Sequence, residues 1–204
     1  MMRPSKIVCV GRNYRAHAAE MGNDVPKEPL LFLKPPSSII HEGEAIKLHP
    51  VSTHIEFEGE IGLVIGSKIS KATEAEAMKG LSHLIALNDV TARDLQKNDG
   101  QWARAKGMDT FCPIGKPAPV PADLASVTLV TRVNGEERQR AQASDMVFPI
   151  PMLLSYISQF ITLEAGDLVA TGTPAGTRQL FAGDVVEVEL VGLSRVTNPV
   201  VAGD

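Results

Sequence analysis

The run Glu58-Gly59-Glu60-Ile61-Gly62-Leu63-Val64-Ile65-Gly66 constrains the fold of this chain more than any other stretch. Alternate residues of a strand point the same way, so Glu58 and Glu60 share one face. The apolar residues that follow read as a strand heading into a core. Two carboxylates side by side at the edge of a core repel each other and lose hydration unless a cation or a proton intervenes. Taken alone, an E-x-E pair is more often an exposed strand end with two solvated glutamates. A further acid in a similar setting changes the balance: Asp89 follows the run His83-Leu84-Ile85-Ala86-Leu87-Asn88. Three acids at strand ends, with no cluster of Cys or His, suit a hard divalent cation such as Mg²⁺ or Mn²⁺ that keeps positions open for water.

The 204 residues suffice for one sizeable core, so a single domain spanning 1–204 is expected. A net charge of −4 gives no reason to expect nucleic acid or an anionic membrane as partner. Cys9 and Cys112 lie far apart in sequence and offer neither a disulfide framework nor a zinc pattern, which fits a reducing, cytoplasmic setting. The start, Met1 to Lys6, leads into an apolar run too short for a signal peptide or a membrane span.

Strands are expected at Lys6 to Val10, Leu30 to Leu33, Glu44 to Leu48, Leu168 to Ala170 and Val185 to Leu190. Asn134-Gly135 between Val127 to Val133 and Glu136 to Arg140 is the strongest hairpin signal in the chain. Lys71 to Met78 reads as an exposed helix. Met146 to Phe160 reads as a buried one, with Pro149 and Pro151 making its start irregular. No repeat or linker interrupts the chain, and no element is assigned after Leu190. The reading is one α+β domain, mostly β, dominated by a folded-over sheet.

Within Tyr14 to Met21, a segment of helix-forming composition, His17 and Glu20 are three apart and meet on one helical face. A carboxylate beside an imidazole orients its tautomer and raises its basicity, although the same spacing also describes an ordinary surface pair. Arg93, counted as one helical turn after Asp89, offers a fork that suits a carboxylate or keto-acid oxygen. Lys106 precedes Gly107, whose missing side chain lets a substrate or backbone approach closely. Thr173 in Thr171-Gly172-Thr173-Pro174 could present its hydroxyl to an anion, and as a mere turn this segment would look much the same. Gln96 and Asp109 are read as supporting groups. His41, His49, His54 and His83 are read as structural or surface residues.

These segments in this order resemble the fumarylacetoacetate hydrolase family, especially its short members. The likeness runs through Val10-Gly11-Arg12-Asn13-Tyr14, His17 to Gly22, Leu31-Phe32-Leu33-Lys34-Pro35, the Glu58-Gly59-Glu60 strand and Asn88 to Gln96. It continues through Lys106 to Pro113, Val133 to Glu136, Ser144 to Phe148 and Thr171 to Pro174. The resemblance implies a mixed β-roll or sandwich with short flanking helices, usually a homodimer, whose catalytic domain begins at the first strand of this chain. It places Mg²⁺ (or Mn²⁺) on Glu58, Glu60 and Asp89. Glu56 lies on the same strand face and leaves a two-residue shift in register open. The apolar run that begins right after Glu60 favours Glu58 with Glu60, and leaves Glu56 as a solvated neighbour.

The resemblance also makes His17 and Glu20 a catalytic pair on a mobile segment, for which Gly11 and Gly22 would serve as hinges. It makes Lys106 a catalytic and substrate-binding group, and Arg93 and Thr173 substrate-binding groups. The implied activity is hydrolysis of a C–C bond in an acylpyruvate-type diketo acid through a pyruvate enolate. Oxaloacetate decarboxylation and isomerisation of 2-hydroxyhepta-2,4-diene-1,7-dioate pass through similar enols and are the alternatives. A catalytically silent, metal-dependent binding protein is the reading from another class. The joint presence of His17, Glu20, Arg93 and Lys106 argues against it.

Overall fold

The computed structural model describes residues 4–20, 22 and 24–203. Met1 to Arg3 of the N-terminal stretch and Met21 of the expected helical segment lie outside the described residues. The expected strands form two mixed sheets. In the six-stranded sheet the order is Ala118–Pro119, Leu81–Asn88, Gly59–Ile65, Leu168–Ala170, Ile7–Gly11 and Leu30–Lys34. All neighbours are antiparallel except Ile7–Gly11 with Leu168–Ala170. In the five-stranded sheet the order is Glu136–Gln142, Thr128–Val133, Val185–Leu190, Ser194–Ala202 and Ile46–Leu48. The chain is thus mostly β, with short helices at Arg15–Glu20, Glu74–Gly80, Arg93–Asn98, Ala103–Lys106 and Ile150–Phe160.

The period-2 alternation explains why the central strands read as unbroken apolar runs. Ile61, Leu63, Leu84, Ala86, Val8 and Val10 turn into the main core, where Leu129, Val186, Val188 and Val196 of the second sheet also lie. Their neighbours Ile85, Leu87, Ile7 and Cys9 form a smaller core on the opposite face. A sheet covered on both sides selects apolar residues at every position. Glu58 and Glu60, four and two residues before Gly62, share the face opposite to Ile61 and Leu63.

Asn134 and Gly135 adopt φ values of 54° and 80°, the left-handed pair that a two-residue hairpin turn requires. Thr73 caps the helix that follows it, with a reciprocal bond between its backbone amide and Glu76, so that helix begins at Glu74 and not at Lys71. Pro149 holds the N-cap of the long helix, which is confined to Ile150–Phe160, with Pro151 in its first turn where no amide is needed. The unassigned strand, Ser194–Ala202, contains Pro199, which argues against a strand in sequence. The structure accommodates it because the parallel partner Ile46–Leu48 pairs only from Val200 onward.

Buried Asp167 ties the first strand to the Leu168–Ala170 strand. It accepts from the amides of Ser5 (2.9 Å), Lys6 (3.2 Å) and Glu164 (2.8 Å), from the Ser5 hydroxyl (2.7 Å), and from Lys6 Nζ. Burial pushes this carboxyl up, but the bonds from Lys6, Glu164 and Ser5 outweigh it and hold it below the ordinary range. A depressed folded value means stability that is present above the unfolded value, about 3.9, and lost as pH falls through the folded one. Asp167→Asn is expected to cost about 2 kcal/mol at neutral pH and to flatten the acid limb of urea-melt stability below pH 4. An unchanged acid limb would remove Asp167 from this role.

Candidate active site

The three acids singled out in sequence converge. One carboxylate oxygen from each of Glu58, Glu60 and Asp89 lies within 4.8 Å of the others, and all three residues are buried. Each is placed by a different constraint. The Glu58 amide donates to Asn88 Oδ1 (2.9 Å), and the Asp89 amide donates to the Glu58 carbonyl (2.8 Å), which joins the two strand ends. Glu60 Oε2 accepts from the Gly172 amide (2.7 Å). Gly172 has φ +99°, and a Cβ there would meet Asn13 at 2.8 Å.

Gly59 between the two glutamates is dictated by the opposite sheet, since a Cβ on it would lie 1.9 Å from Thr131 Oγ1. Gly59→Ala is therefore expected to push the two glutamates apart. The predicted signature is lower thermal stability together with Mg²⁺ affinity reduced by ~10-fold or more, read by calorimetric titration. A stable variant with normal affinity would show that the contact yields cheaply.

Three buried or half-buried cations meet these acids. Lys106 Nζ donates to Glu58 Oε2 and to Asp89 Oδ2, both at 2.6 Å, and sits 5.0 Å from the centre of the Phe32 ring. Arg93 donates to Glu56 Oε2 (2.7 Å) and to Gln96 Oε1 (2.9 Å), and reaches Glu58 Oε1 at 2.5 Å. Lys34, fully buried, donates to Asp89 Oδ1 (2.6 Å), to the Val90 carbonyl (3.3 Å) and to the Lys106 carbonyl. Burial pushes the Glu58 carboxyl up, but the Arg93 guanidinium and the Lys106 ammonium prevail and hold it below the carboxylate range. Among the described residues Glu60 has no such cation partner. Burial, with Asp89 and Glu58 beside it, pushes its carboxyl well above the ordinary value.

This imbalance supports the fit of a divalent cation. All the donors are hard oxygens, and one member of the set is held unfavourably until positive charge reaches it. Four carboxylates, counting Glu56, face three cations, so the cluster carries a net negative charge when fully ionised.

The cluster forms the floor of a cleft of about 620 Å³, which suits a small molecule. Phe32 and Trp102, edge to face at 5.3 Å, form part of its wall. His17 also lines the cleft. Its Nδ1 is 3.2 Å from Glu20 Oε2, which leaves Nε2 as the second ring nitrogen. Glu20 in turn accepts from the Gly176 amide (3.2 Å), latching the short helix to the segment after Thr173.

Several sequence expectations need amending. Arg93 is not a helical turn beyond Asp89. A two-residue strand at Thr91–Ala92 intervenes, and Arg93 is the first residue of its helix, yet its side chain still turns back to Glu58. Glu56 is not a solvated neighbour, because it bridges Arg93 and His54 (2.8 Å), which also gives His54 a partner. Gly22 has φ +66°, whereas Gly11 lacks a positive φ and a Cβ there would approach Trp102 at 3.1 Å. At Gly107 the close approach is by backbone, the Ala103 carbonyl lying 2.5 Å from where a Cβ would sit, and by the Pro35 ring. Thr173 lines the cleft, but its hydroxyl already donates to the Gly59 carbonyl and accepts from Gln139, both at 2.8 Å. Gln96 supports Arg93, whereas Asp109 is exposed and offers only its carbonyl to His49. Lys34 was missed as a site residue. The signal available was a lysine ending an apolar strand, and nothing local distinguishes that from a solvated strand end.

Residues 6–201 match the family model described as fumarylacetoacetate (FAA) hydrolase C-terminal. The chain belongs to this family of enzymes. It is 45% identical over 193 residues to a mitochondrial oxaloacetate tautomerase of Caenorhabditis elegans, covering 91% of this chain and 90% of the relative. Among solved structures it resembles a 5-carboxymethyl-2-hydroxymuconate delta-isomerase from Mycobacterium smegmatis, with a TM-score of 0.92 and 41% identity over 100% of this chain and 81% of the other. A 2-hydroxyhepta-2,4-diene-1,7-dioate isomerase from Mycobacterium marinum gives 0.90 and 40%, over 98% of this chain and 76% of the other. Among the described residues no helix is long and apolar enough to cross a membrane.

Proposed function

We propose that this protein catalyses keto–enol chemistry on small 2-oxo acids with a divalent cation, Mg²⁺ or Mn²⁺, and that oxaloacetate tautomerisation is its reaction. The observation that carries the reading is the pairing of a buried three-carboxylate cluster with a His–Glu pair in one cleft. The names of the relatives point the same way, since they are an oxaloacetate tautomerase and two isomerases of unsaturated hydroxy acids.

Glu58, Glu60 and Asp89 would hold the cation, which when bound polarises the 2-oxo carbonyl and stabilises negative charge on its oxygen. With a divalent charge added, the cluster turns net positive and favours an anionic substrate over a neutral one. Lys106 lines the cleft and bonds Glu58 and Asp89 with two of its ammonium N–H groups, and its third donates to the substrate carboxylate or the enol oxygen, with Arg93 beside it. His17 Nε2 takes the C3 proton and delivers it to the 2-oxo oxygen to give the enol, and the reverse path carries the proton from that oxygen back to C3, while Glu20 on Nδ1 fixes the tautomer that makes Nε2 the base. Thr173 shapes the wall, and its remaining donor is the backbone. Trp102 and Phe32 exclude water from one side.

The His–Glu pair also favours a second reading, acylpyruvate hydrolysis, because the same base can activate a water toward a distal carbonyl. The deciding experiment presents oxaloacetate, acetylpyruvate, fumarylpyruvate and a 2-hydroxy-diene dioate with Mg²⁺ and with Mn²⁺. Enol-to-keto conversion is followed by ultraviolet absorbance, and C–C cleavage by product analysis. Accelerated interconversion of oxaloacetate, lost on chelation, is the expected result. Cleavage of an acylpyruvate with no effect on oxaloacetate would install the hydrolase reading. No reaction with any of them by folded, cation-loaded protein would favour a silent binding protein.

A further inference from the structure

We infer that Arg12 is the residue by which the cleft selects its substrate, seating a second carboxylate so that a 2-oxo dicarboxylate is preferred to the corresponding monocarboxylate. The inference rests on the 2-oxo acid reading above and adds the substrate class to it. It starts from an accounting of the cations in and under the cleft. Lys34, Arg93 and Lys106 are all engaged by the acids of the cluster. Two more cations line the cleft, Arg12 and Lys97. Neither makes a hydrogen bond or ion pair with a described residue. Lys97 is exposed, near the end of its helix, and an exposed lysine is a mobile point charge. Arg12 is half-buried and carries a planar fork that matches a carboxylate with two parallel bonds.

The backbone holds Arg12 in place at a cost. Its φ is +58°, in the left-handed region that non-glycine residues rarely occupy. The surroundings enforce it. Arg12 follows the Ile7–Gly11 strand directly, and the next residue, Asn13, is completely buried and bonded on both sides. Asn13 Nδ2 donates to the carbonyls of Thr171 (2.8 Å) and Phe148 (3.2 Å), and its Oδ1 accepts from the Phe148 amide (2.8 Å). Between these two anchors Arg12 has little freedom, and His17 enters the same cleft five residues later. Strain kept at a position whose side chain has no structural partner points to a ligand as the partner. The carboxylate cluster serves the 2-oxo end of the substrate, so the charge left for Arg12 to meet is the one at the far end.

Trp102 is the single tryptophan and lines the cleft, so its fluorescence reports occupancy. The Mg²⁺-loaded protein is titrated with malate and with 2-hydroxybutyrate, which differ only in a carboxylate replacing a methyl group and do not enolise. Arg12→Gln and Arg12→Asn, the latter tolerant of the left-handed conformation, are expected to weaken malate about 10- to 100-fold while 2-hydroxybutyrate stays within about twofold. Arg12→Lys should recover part of the loss, and Lys97→Gln should leave both ligands nearly unchanged. In turnover, Arg12→Gln should raise KM for oxaloacetate and leave C3–H exchange of 2-oxobutyrate, read by NMR in D₂O, near the wild-type rate. Equal losses on both ligands would reduce Arg12 to a structural residue, and a loss confined to Lys97→Gln would give the role to Lys97. Arg12-dependent malate binding by a protein that does not act on oxaloacetate would sink the tautomerase reading and leave this one standing.

Discussion

Asp89→Ala, Glu58→Ala and Glu60→Ala are each expected to lower Mg²⁺ affinity by more than ~100-fold and to abolish turnover, since even partners one step removed from a metal are worth 10- to 100-fold. Glu56→Ala should fall at or below that range, because Glu56 reaches the cluster only through Arg93. The stabilities of the cation-free proteins should then separate Glu58 from Glu60. Glu58 is paired with Arg93 and Lys106, so Glu58→Gln breaks a buried ion pair and should destabilise by ~3 kcal/mol. Glu60 carries the raised carboxyl, and Glu60→Gln should leave the cation-free protein as stable as wild type or more so. Calorimetric titration and denaturant melts in chelator measure both. Retained Mg²⁺ binding in Glu60→Ala together with its loss in Glu56→Ala would move the ligand register by one strand repeat.

His17→Ala should keep binding of Mg²⁺ and of oxalate, a mimic of the pyruvate enolate, while turnover falls by ~10²–10⁴-fold. His17 is linked to Glu20 and lies in the cleft, but it is not one of the three converging carboxylate residues, so the floor remains whole without it. Glu20→Ala should give a smaller loss in kcat, because it removes the group that orients the ring and not the ring itself. It also removes the latch to the Gly176 amide, so a rise in KM is expected beside the kcat effect. The split, read as kcat against kcat/KM, distinguishes a proton-transfer role from closure of the cleft. Near-wild-type turnover in His17→Ala would take the pair out of proton transfer and leave the chemistry to Lys106.

How far the site was legible follows from the range of each interaction. Glu58 and Glu60 could be paired from sequence because strand alternation is a local rule, and the apolar run at Ile61 set their register. Asp89 could be added because it ends the neighbouring strand of a similar pattern. Arg93 was found with a wrong reason: helical spacing was assumed across Val90 to Ala92, where a short strand turns the chain. Lys34 escaped because its meaning is entirely non-local. It lies 55 residues from Asp89 in the chain and 2.6 Å from it in space. Glu56 and His54 were misread for the same reason, since Arg93 is what removes Glu56 from solvent.

By itself the amino-acid sequence determined the strand-rich class, the Asn134-Gly135 turn, the acidic strand end and the His17/Glu20 spacing, all of which depend on residues within a few positions of one another. Only the tertiary structure decided which charges meet. Gly59 is small because Thr131 of the other sheet presses on it, and Glu60 is oriented by the amide of a glycine 112 residues away. Thr173, plausible as a hydroxyl donor, is already committed to Gly59 and Gln139. Arg12 has no role assigned to it in sequence, and in the fold it is a guanidinium lining the cleft with no partner among the described residues. The reason is the same throughout: patterning is set by neighbours along the chain, whereas charge balance and burial are set by strands and loops brought together across two sheets.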